Sequence, residues 1–222
     1  MSISIEPGIV GLAEANHRIA NNLACLSGII RFQRRSIAES GGALTAAQVC
    51  MLLDEIDTHV EVTAKLHKYL ARTVNGNGVN LGDFLQEIAG MIVALEPAGK
   101  MDLTVEKSCR GSVDPRHVLH AGLITAELLT NASKYAHPTG VPVKVHIRCE
   151  TKEDGSFVVE VTDDGIGFPE NFDPYTEGGL GFELMRVLAD GIDAELQFEH
   201  DSLGVCARLK STRQLGECGR EQ

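Results

Sequence analysis

The chain has 222 residues, with 20 lysines and arginines against 31 aspartates and glutamates, and a formal net charge of −11. That length suits one large domain or two small ones, and that charge argues against nucleic acid or an anionic membrane surface as the main partner. The six cysteines, at positions 25, 50, 109, 149, 206 and 218, form no C-x-x-C pair, so neither a disulfide framework nor a zinc site is expected. No apolar run approaches the roughly 18 residues of a membrane span, and no basic-then-apolar leader follows Met1. A soluble, cytoplasmic protein with no membrane contact is expected.

The spacing predicts a helix over residues 7–37. Leu12, Ile19, Leu23, Leu26 and Ile30 step by sevens, fours and threes, with Asn16 in the remaining position, which makes a bundle seam rather than a single amphipathic face. Residues 39–42, Glu-Ser-Gly-Gly, read as a turn. Thr45 to Gln48 reads as a capping box opening a second helix. Its seam positions Val49, Leu52, Ile56, Val60, Thr63, Leu66 and Leu70 end before the glycine-rich residues 75–78. Two long helices with a short connection form an antiparallel hairpin, and a homodimer forming a four-helix bundle is the natural way to cover both seams. The expected domains are therefore residues 1–76, a helical hairpin, and residues 77–222.

In the second domain a helix is expected over 81–95 and a strand over 101–106. Asp114-Pro115 opens a further helix, with Asp as cap and Pro in the first turn. Strands near 142–151 and 156–162 flank an Asp154-Gly155 hairpin turn. A helix from Gly181 to about 189 precedes strands at 195–199 and 205–210, and residues 213–222 are expected to be a disordered tail. Helices and a largely antiparallel sheet grouped in this way give an α+β sandwich.

Three motifs carry chemistry. In residues 124–138, ITAELLTNASKYAHP, the helix period puts Glu127, Asn131 and Lys134 on one face at i, i+4 and i+7. A carboxylate, an amide oxygen and an ammonium in one stripe suit a metal-bound polyphosphate, although a solvated helix face could carry the same residues. A strand pattern then runs into Asp163-Asp164-Gly165-Ile166-Gly167, where glycines allow a sharp turn close to a ligand and Asp163 can accept a hydrogen bond from an exocyclic amine. Glu177 to Leu184 is a glycine-rich entry, with Gly179, Leu180 and Gly181, to a helix whose free N–H groups favour phosphate. The ordered set E-x-x-x-N, D-x-G-x-G, G-x-G resembles the nucleotide boxes of the Bergerat-fold (GHKL) ATPases shared by DNA gyrase B, Hsp90, MutL and histidine kinases. The first predicted helix adds Asn16-His17-Arg18-Ile19-Ala20-Asn21-Asn22-Leu23, similar to the phosphoacceptor box of sensor histidine kinases reading H-R-x-x-N-N-L, neighbours of the HWE group. The resemblance covers residues 12 to 209.

The resemblance implies a histidine kinase that uses ATP and Mg2+, with His17 as phosphoacceptor and Asn131 as magnesium ligand. Glu127 would position metal-bound water or the nucleophile, Lys134 would meet phosphate, Asp163 would read adenine, and Gly165, Gly167, Gly179, Leu180 and Gly181 would shape the pocket. The implied partner is the receiver domain of a response regulator. Because no sensor segment precedes the helices, input would come from a separate sensor protein, a small-molecule contact or a further part of the protein. Departures are visible: Ala20 stands where the family commonly has lysine, there is no tryptophan for the HWE group's box, and the stretch from Phe168 to Gly178 leaves little room for a long lid. Glu14, one turn before His17, either orients the imidazole or is a solvated surface acid. Asn21, one turn after it, could orient a water for phosphatase work. A phosphotransfer hub that does not use ATP, and a serine/threonine anti-sigma kinase of the same ATPase fold, are the competing readings.

Overall fold

The structure is a computed structural model that describes residues 45–73, 78–137 and 140–211 together with Ile30 and Arg34. The first predicted helix with its seam, the turn after it, Glu14, His17, Asn21 and the tail from 213 lie outside the described residues. The chain divides into two compact units, Met1–Ala64 and Lys65–Gln222.

Helix α1, Ala46–Thr73, starts directly after Thr45, whose carbonyl accepts the Val49 N–H at 3.1 Å. Val49, Leu53 and Val60 are exposed, at steps of four and seven, so one stripe of this helix holds apolar side chains in water. In the second unit Leu66 is buried, and the Tyr69 ring meets Phe84 of helix α2, Leu81–Leu95, at a centroid distance of 5.3 Å. Asn80 caps α2 by accepting the Asp83 N–H at 3.1 Å.

The remaining elements are β1 (Met101–Cys109), α3 (Pro115–Tyr135), β2 (Val143–Thr151), β3 (Phe157–Asp163), α4 (Leu180–Asp190), β4 (Ala194–Asp201) and β5 (Gly204–Ser211). The sheet order is β1-β2-β3-β5-β4, with β1 parallel to β2 and every other pair antiparallel. β1 runs three residues beyond the expected strand because its ladder with β2 continues to Cys109↔Thr151. A partner strand thus carries the polar Lys107 and Ser108, which local pattern alone would leave in a loop. Along β2, Val143, Val145, Ile147, Cys149 and Thr151 are buried while Lys144, Arg148 and Glu150 are exposed. One face of the sheet is therefore dry and the other wet.

The dry face is covered by α2, α3 and α4. Phe84, Leu85 and Ile88 of α2, Ile124 and Leu129 of α3, Met185 of α4 and Ile147 and Leu209 of the sheet are all but inaccessible to water. Helix α3 is central: it touches α2, α4, β2 and β3. The two-layer α+β sandwich expected from the sequence is the architecture found. Among the described residues no helix is long and apolar enough to cross a membrane. The four described cysteines are free, and burial pushes the Cys149 thiol far above its ordinary range, which leaves it inert as a nucleophile.

Candidate nucleotide site

Helix α3 positions the first set of side chains. Asp114 accepts the Arg116 N–H at 2.8 Å and Pro115 occupies the first turn, so the helix start is fixed by its cap. Along the stripe the environment grades from dry to wet: Glu127 is 8 % exposed, Asn131 half-buried and Lys134 exposed. The Asn131 Nδ2 is buried without a hydrogen-bond partner. A buried amide left unpaired costs about 1–3 kcal/mol, a cost that a bound acceptor would remove.

Gly181 of α4 faces that stripe. A Cβ built on it would lie 2.9 Å from Glu127 Oε2 and 3.7 Å and 3.9 Å from the Asn131 amide nitrogen and oxygen. Any side chain there would fill the space in front of both groups. Gly179 caps α4 with no side-chain hydrogen bond, and the N–H groups of Leu180 and Gly181 have no intrahelical acceptor by the geometry of a helix start. The structure therefore brings Glu127, Asn131 and Gly181 together, with Gly179 two residues away at the helix cap.

Asp163, at the end of β3, is placed by backbone. Its Oδ1 accepts N–H groups from Gly165 at 2.9 Å and Val205 at 3.3 Å. Burial pushes the Asp163 carboxyl above the usual range, opposed by those two N–H donors. The loop is fastened to the last turn of α3: Ile166 N–H donates to the Ala136 carbonyl at 3.1 Å, and a Cβ on Gly165 would fall 2.6 Å from Ala136 Cα. Gly167 has φ +74°, a left-handed conformation, and a Cβ there would meet the Asp201 carbonyl at 2.2 Å. Asp163 and Gly165 thus stand near the C-terminal end of the helix whose middle carries Glu127 and Asn131.

Several supports carried no signal in the sequence. Asp164 Oδ1 accepts the Lys144 N–H at 2.8 Å and lies 3.1 Å from His137 Nε2, which ties β2, β3 and the end of α3 to one carboxylate. The β4–β5 hairpin closes on the loop at Gly204, where a Cβ would lie 1.9 Å from the Asp163 carbonyl. The hairpin turn itself is legible in Asp201-Ser-Leu-Gly204, but its contact with Asp163 is not.

The short stretch between the two glycine motifs is anchored. Phe168 contacts the rings of Phe172, Phe182, Phe198 and His200 at centroid distances of 5.1, 5.8, 5.9 and 5.0 Å. Asp173 closes a turn by accepting Tyr175 N–H at 2.9 Å and the Thr176 hydroxyl at 2.6 Å. Arg186 Nη1 donates to the carbonyls of Pro174 at 2.7 Å and Glu177 at 3.2 Å. The Tyr175 hydroxyl accepts the Phe198 N–H of edge strand β4 at 3.0 Å.

Comparison with known proteins agrees with this arrangement. Residues 117–214 match the family model described as histidine kinase-, DNA gyrase B-, and HSP90-like ATPase, an ATP-binding domain, and residues 14–96 match the model described as histidine kinase. Blue-light-activated histidine kinase 2 of Erythrobacter litoralis is 29 % identical over 202 residues, covering 89 % of this chain and 56 % of that protein. The sensor histidine kinase PdtaS of Mycobacterium tuberculosis is 26 % identical over 186 residues, covering 83 % of this chain and 35 % of that one. The chain thus spans about half the length, or less, of these curated relatives. The solved structure of the Erythrobacter litoralis EL346 blue-light activated histidine kinase superposes with a TM-score of 0.73 at 26 % identity, over 95 % of this chain and 61 % of that one. Its isolated histidine kinase domain gives 0.68 at 27 %, over 91 % and 94 %.

Proposed function

We propose that the chain is a histidine kinase that phosphorylates its own His17 with ATP and passes the group to an aspartate of a response regulator. The observation that carries the ATP half of the reading is the convergence of Glu127, Asn131 and Gly181, with an unpaired buried amide facing the space that Gly181 leaves open. The phosphoacceptor half rests on the His17 motif and the histidine kinase match over residues 14–96.

Phosphoryl transfer asks for positioning and charge neutralisation. Asp163 accepts the adenine amine, and the free amides at the start of α4 together with Lys134 meet the phosphates. Asn131 is the residue that would hold Mg2+, through its amide oxygen, and the cation would supply charge neutralisation for the polyphosphate. Among the described residues no group of three or more His, Cys, Asp or Glu side chains is arranged to bind a metal by itself. Glu127 would orient a water or the nucleophile. The unprotonated ring nitrogen of His17 attacks the γ-phosphorus, the bond from that phosphorus to the ADP oxygen breaks, and Glu14 holds the proton on the other nitrogen. Asn21 orients water when the flow reverses toward dephosphorylation.

The division of labour we propose is residues 1–76 for dimerisation and phosphoacceptance and 77–222 for ATP. A homodimer is supported by the apolar stripe Val49, Leu53 and Val60 of α1, which one chain leaves exposed. Labelled ATP tests the whole reading. The parent protein should acquire acid-labile, alkali-stable label. His17→Gln should acquire none while binding ATP within about twofold of the parent, and Glu14→Gln should label on the order of 10²-fold more slowly. Phosphohistidine persisting in the His17 variant would overturn the assignment.

A further inference from the structure

The end of β3 opposite Asp163 carries a second feature. Phe157 and Asp163 stand six positions apart along β3, roughly 20 Å of extended strand. At the Phe157 end, the loop after β1 and the β2–β3 turn enclose a cleft of about 270 Å³ with the last residues of β5. Three cations line it: Arg110, Lys152 and Lys210.

The cleft walls are fixed by backbone. Arg110 N–H donates to the Thr151 carbonyl at 3.2 Å, and the Thr151 hydroxyl donates to the Gly111 carbonyl at 3.2 Å. A Cβ on Gly111 would lie 2.2 Å from the Lys152 carbonyl, so this loop rests directly on the turn. The turn is closed by Lys152 N–H donating to the Ser156 carbonyl at 2.9 Å. Arg110 and Lys152 are thereby held beside each other before any ligand arrives.

Three nearby acids are already engaged, and a fourth, Glu153 in the β2–β3 turn, is exposed. Glu150, the carboxylate in the lining, pairs with Arg148 at 2.6 Å. Asp154, within electrostatic reach of Lys152, accepts the Ser156 N–H at 2.9 Å and hydroxyl at 2.6 Å. Glu195, opposite Lys210 in the β4–β5 register, accepts Gln197 Nε2 at 2.7 Å. Among the described residues Arg110, Lys152 and Lys210 form no ion pair, although acids outnumber bases in the chain by 31 to 20.

We propose that this cleft is a second binding site, separate from the nucleotide site, for a small phosphoryl-bearing anion. Two lysine point charges and an arginine fork match several phosphoryl oxygens at once. The hydroxyls of Ser108 and Ser211 in the lining add neutral donors, and Phe157 and Val158 supply an apolar wall for an organic portion. The volume lies at the small end of ligand pockets, which suits a metabolite-sized ligand.

Titration calorimetry on the full chain, with inorganic pyrophosphate in metal-free buffer at constant ionic strength, tests the site. The parent protein should bind, and the triple variant Arg110→Gln/Lys152→Gln/Lys210→Gln should bind at least tenfold more weakly. Amide shifts in the parent protein, which do not depend on any variant folding, should move at Arg110, Gly111 and Lys152. Absence of binding at millimolar pyrophosphate, shifts confined to the residues around Asn131 and Gly181, or parent-like binding by the triple variant would overturn the proposal. Citrate binding as tightly as pyrophosphate would overturn its phosphoryl selectivity.

Discussion

Asp163→Asn separates ligand recognition from loop anchoring, because the two duties fall on different features of the carboxylate. Oδ1 accepts the N–H groups of Gly165 and Val205, and an asparagine oxygen can keep both bonds. What the substitution removes is the charge and one acceptor. A hydrogen bond to a charged group is worth about 1.5–3 kcal/mol, so ATP affinity should fall roughly ten- to a hundredfold. Folding stability at pH 7 should stay level or rise, since burial already disfavours the ionised form and pushes the Asp163 carboxyl upward. The sign with pH follows: a raised acid in the folded state binds its proton more tightly than in the unfolded chain. This group's contribution to stability therefore grows as pH falls through its raised pKa, while ATP affinity declines over the same window, starting at higher pH than for an ordinary aspartate. Calorimetric titration with magnesium-ATP between pH 4 and 8, beside thermal denaturation, reads both quantities. In the asparagine variant that acid limb should disappear. Parent-like affinity would show that Asp163 does not read the base, and a large fall in melting temperature would make it a structural anchor instead.

Asn131→Ala should leave the stability of the nucleotide-free protein level or raise it by about 1 kcal/mol, because it deletes a buried donor with no partner, while magnesium-dependent ATP binding drops; denaturant melts and titrations with and without magnesium check both halves. Gly167→Ala meets both a left-handed backbone and the Asp201 carbonyl, and strain with overpacking of about 2 kcal/mol or more should lower the melting temperature by roughly 4–8 °C in a unit of this size. Phe168→Ala removes four ring contacts and should cost about 2–3 kcal/mol, less than for a fully buried phenylalanine. Hydrogen exchange at the Tyr175 and Phe198 amides should quicken in that variant, and unchanged exchange would remove Phe168 from its place at the centre of the cluster.

The parts of the site legible in the sequence are those governed by a local period or a local turn. Glu127 and Asn131 are four residues apart, and a helix puts such residues on one face whatever surrounds it. Gly165 and Gly167 announce a turn, and Gly179 with Gly181 a helix entry. Their meeting was legible only through the family resemblance, because no local rule brings residue 181 to residue 127. The supports were not legible at all. Asp164 holds Lys144 and His137, and Gly204 admits the Asp163 carbonyl, across 20 or more residues. The same holds for β1, whose final three residues are strand because β2 lies beside them.

The stretch from Phe168 to Gly179 shows how such non-local packing bears on function. Its brevity, which leaves little room for a long lid, is visible in the sequence, but its anchoring is not: the Phe168 cluster, the Asp173 turn and Arg186 fasten it to α4 and β4. A longer, unanchored segment would lose its conformational entropy when nucleotide binds, at about 1–2 kcal/mol for each residue ordered. Here most of that ordering is completed on folding, so little of the nucleotide's binding energy is diverted into arranging the segment. The anchors also tie the segment to the helix start proposed to meet phosphate, since Arg186 lies on α4 and Phe182 packs on both Phe168 and Phe172. The position of Gly181 in front of Glu127 and Asn131 is thus set by the fold before ATP arrives.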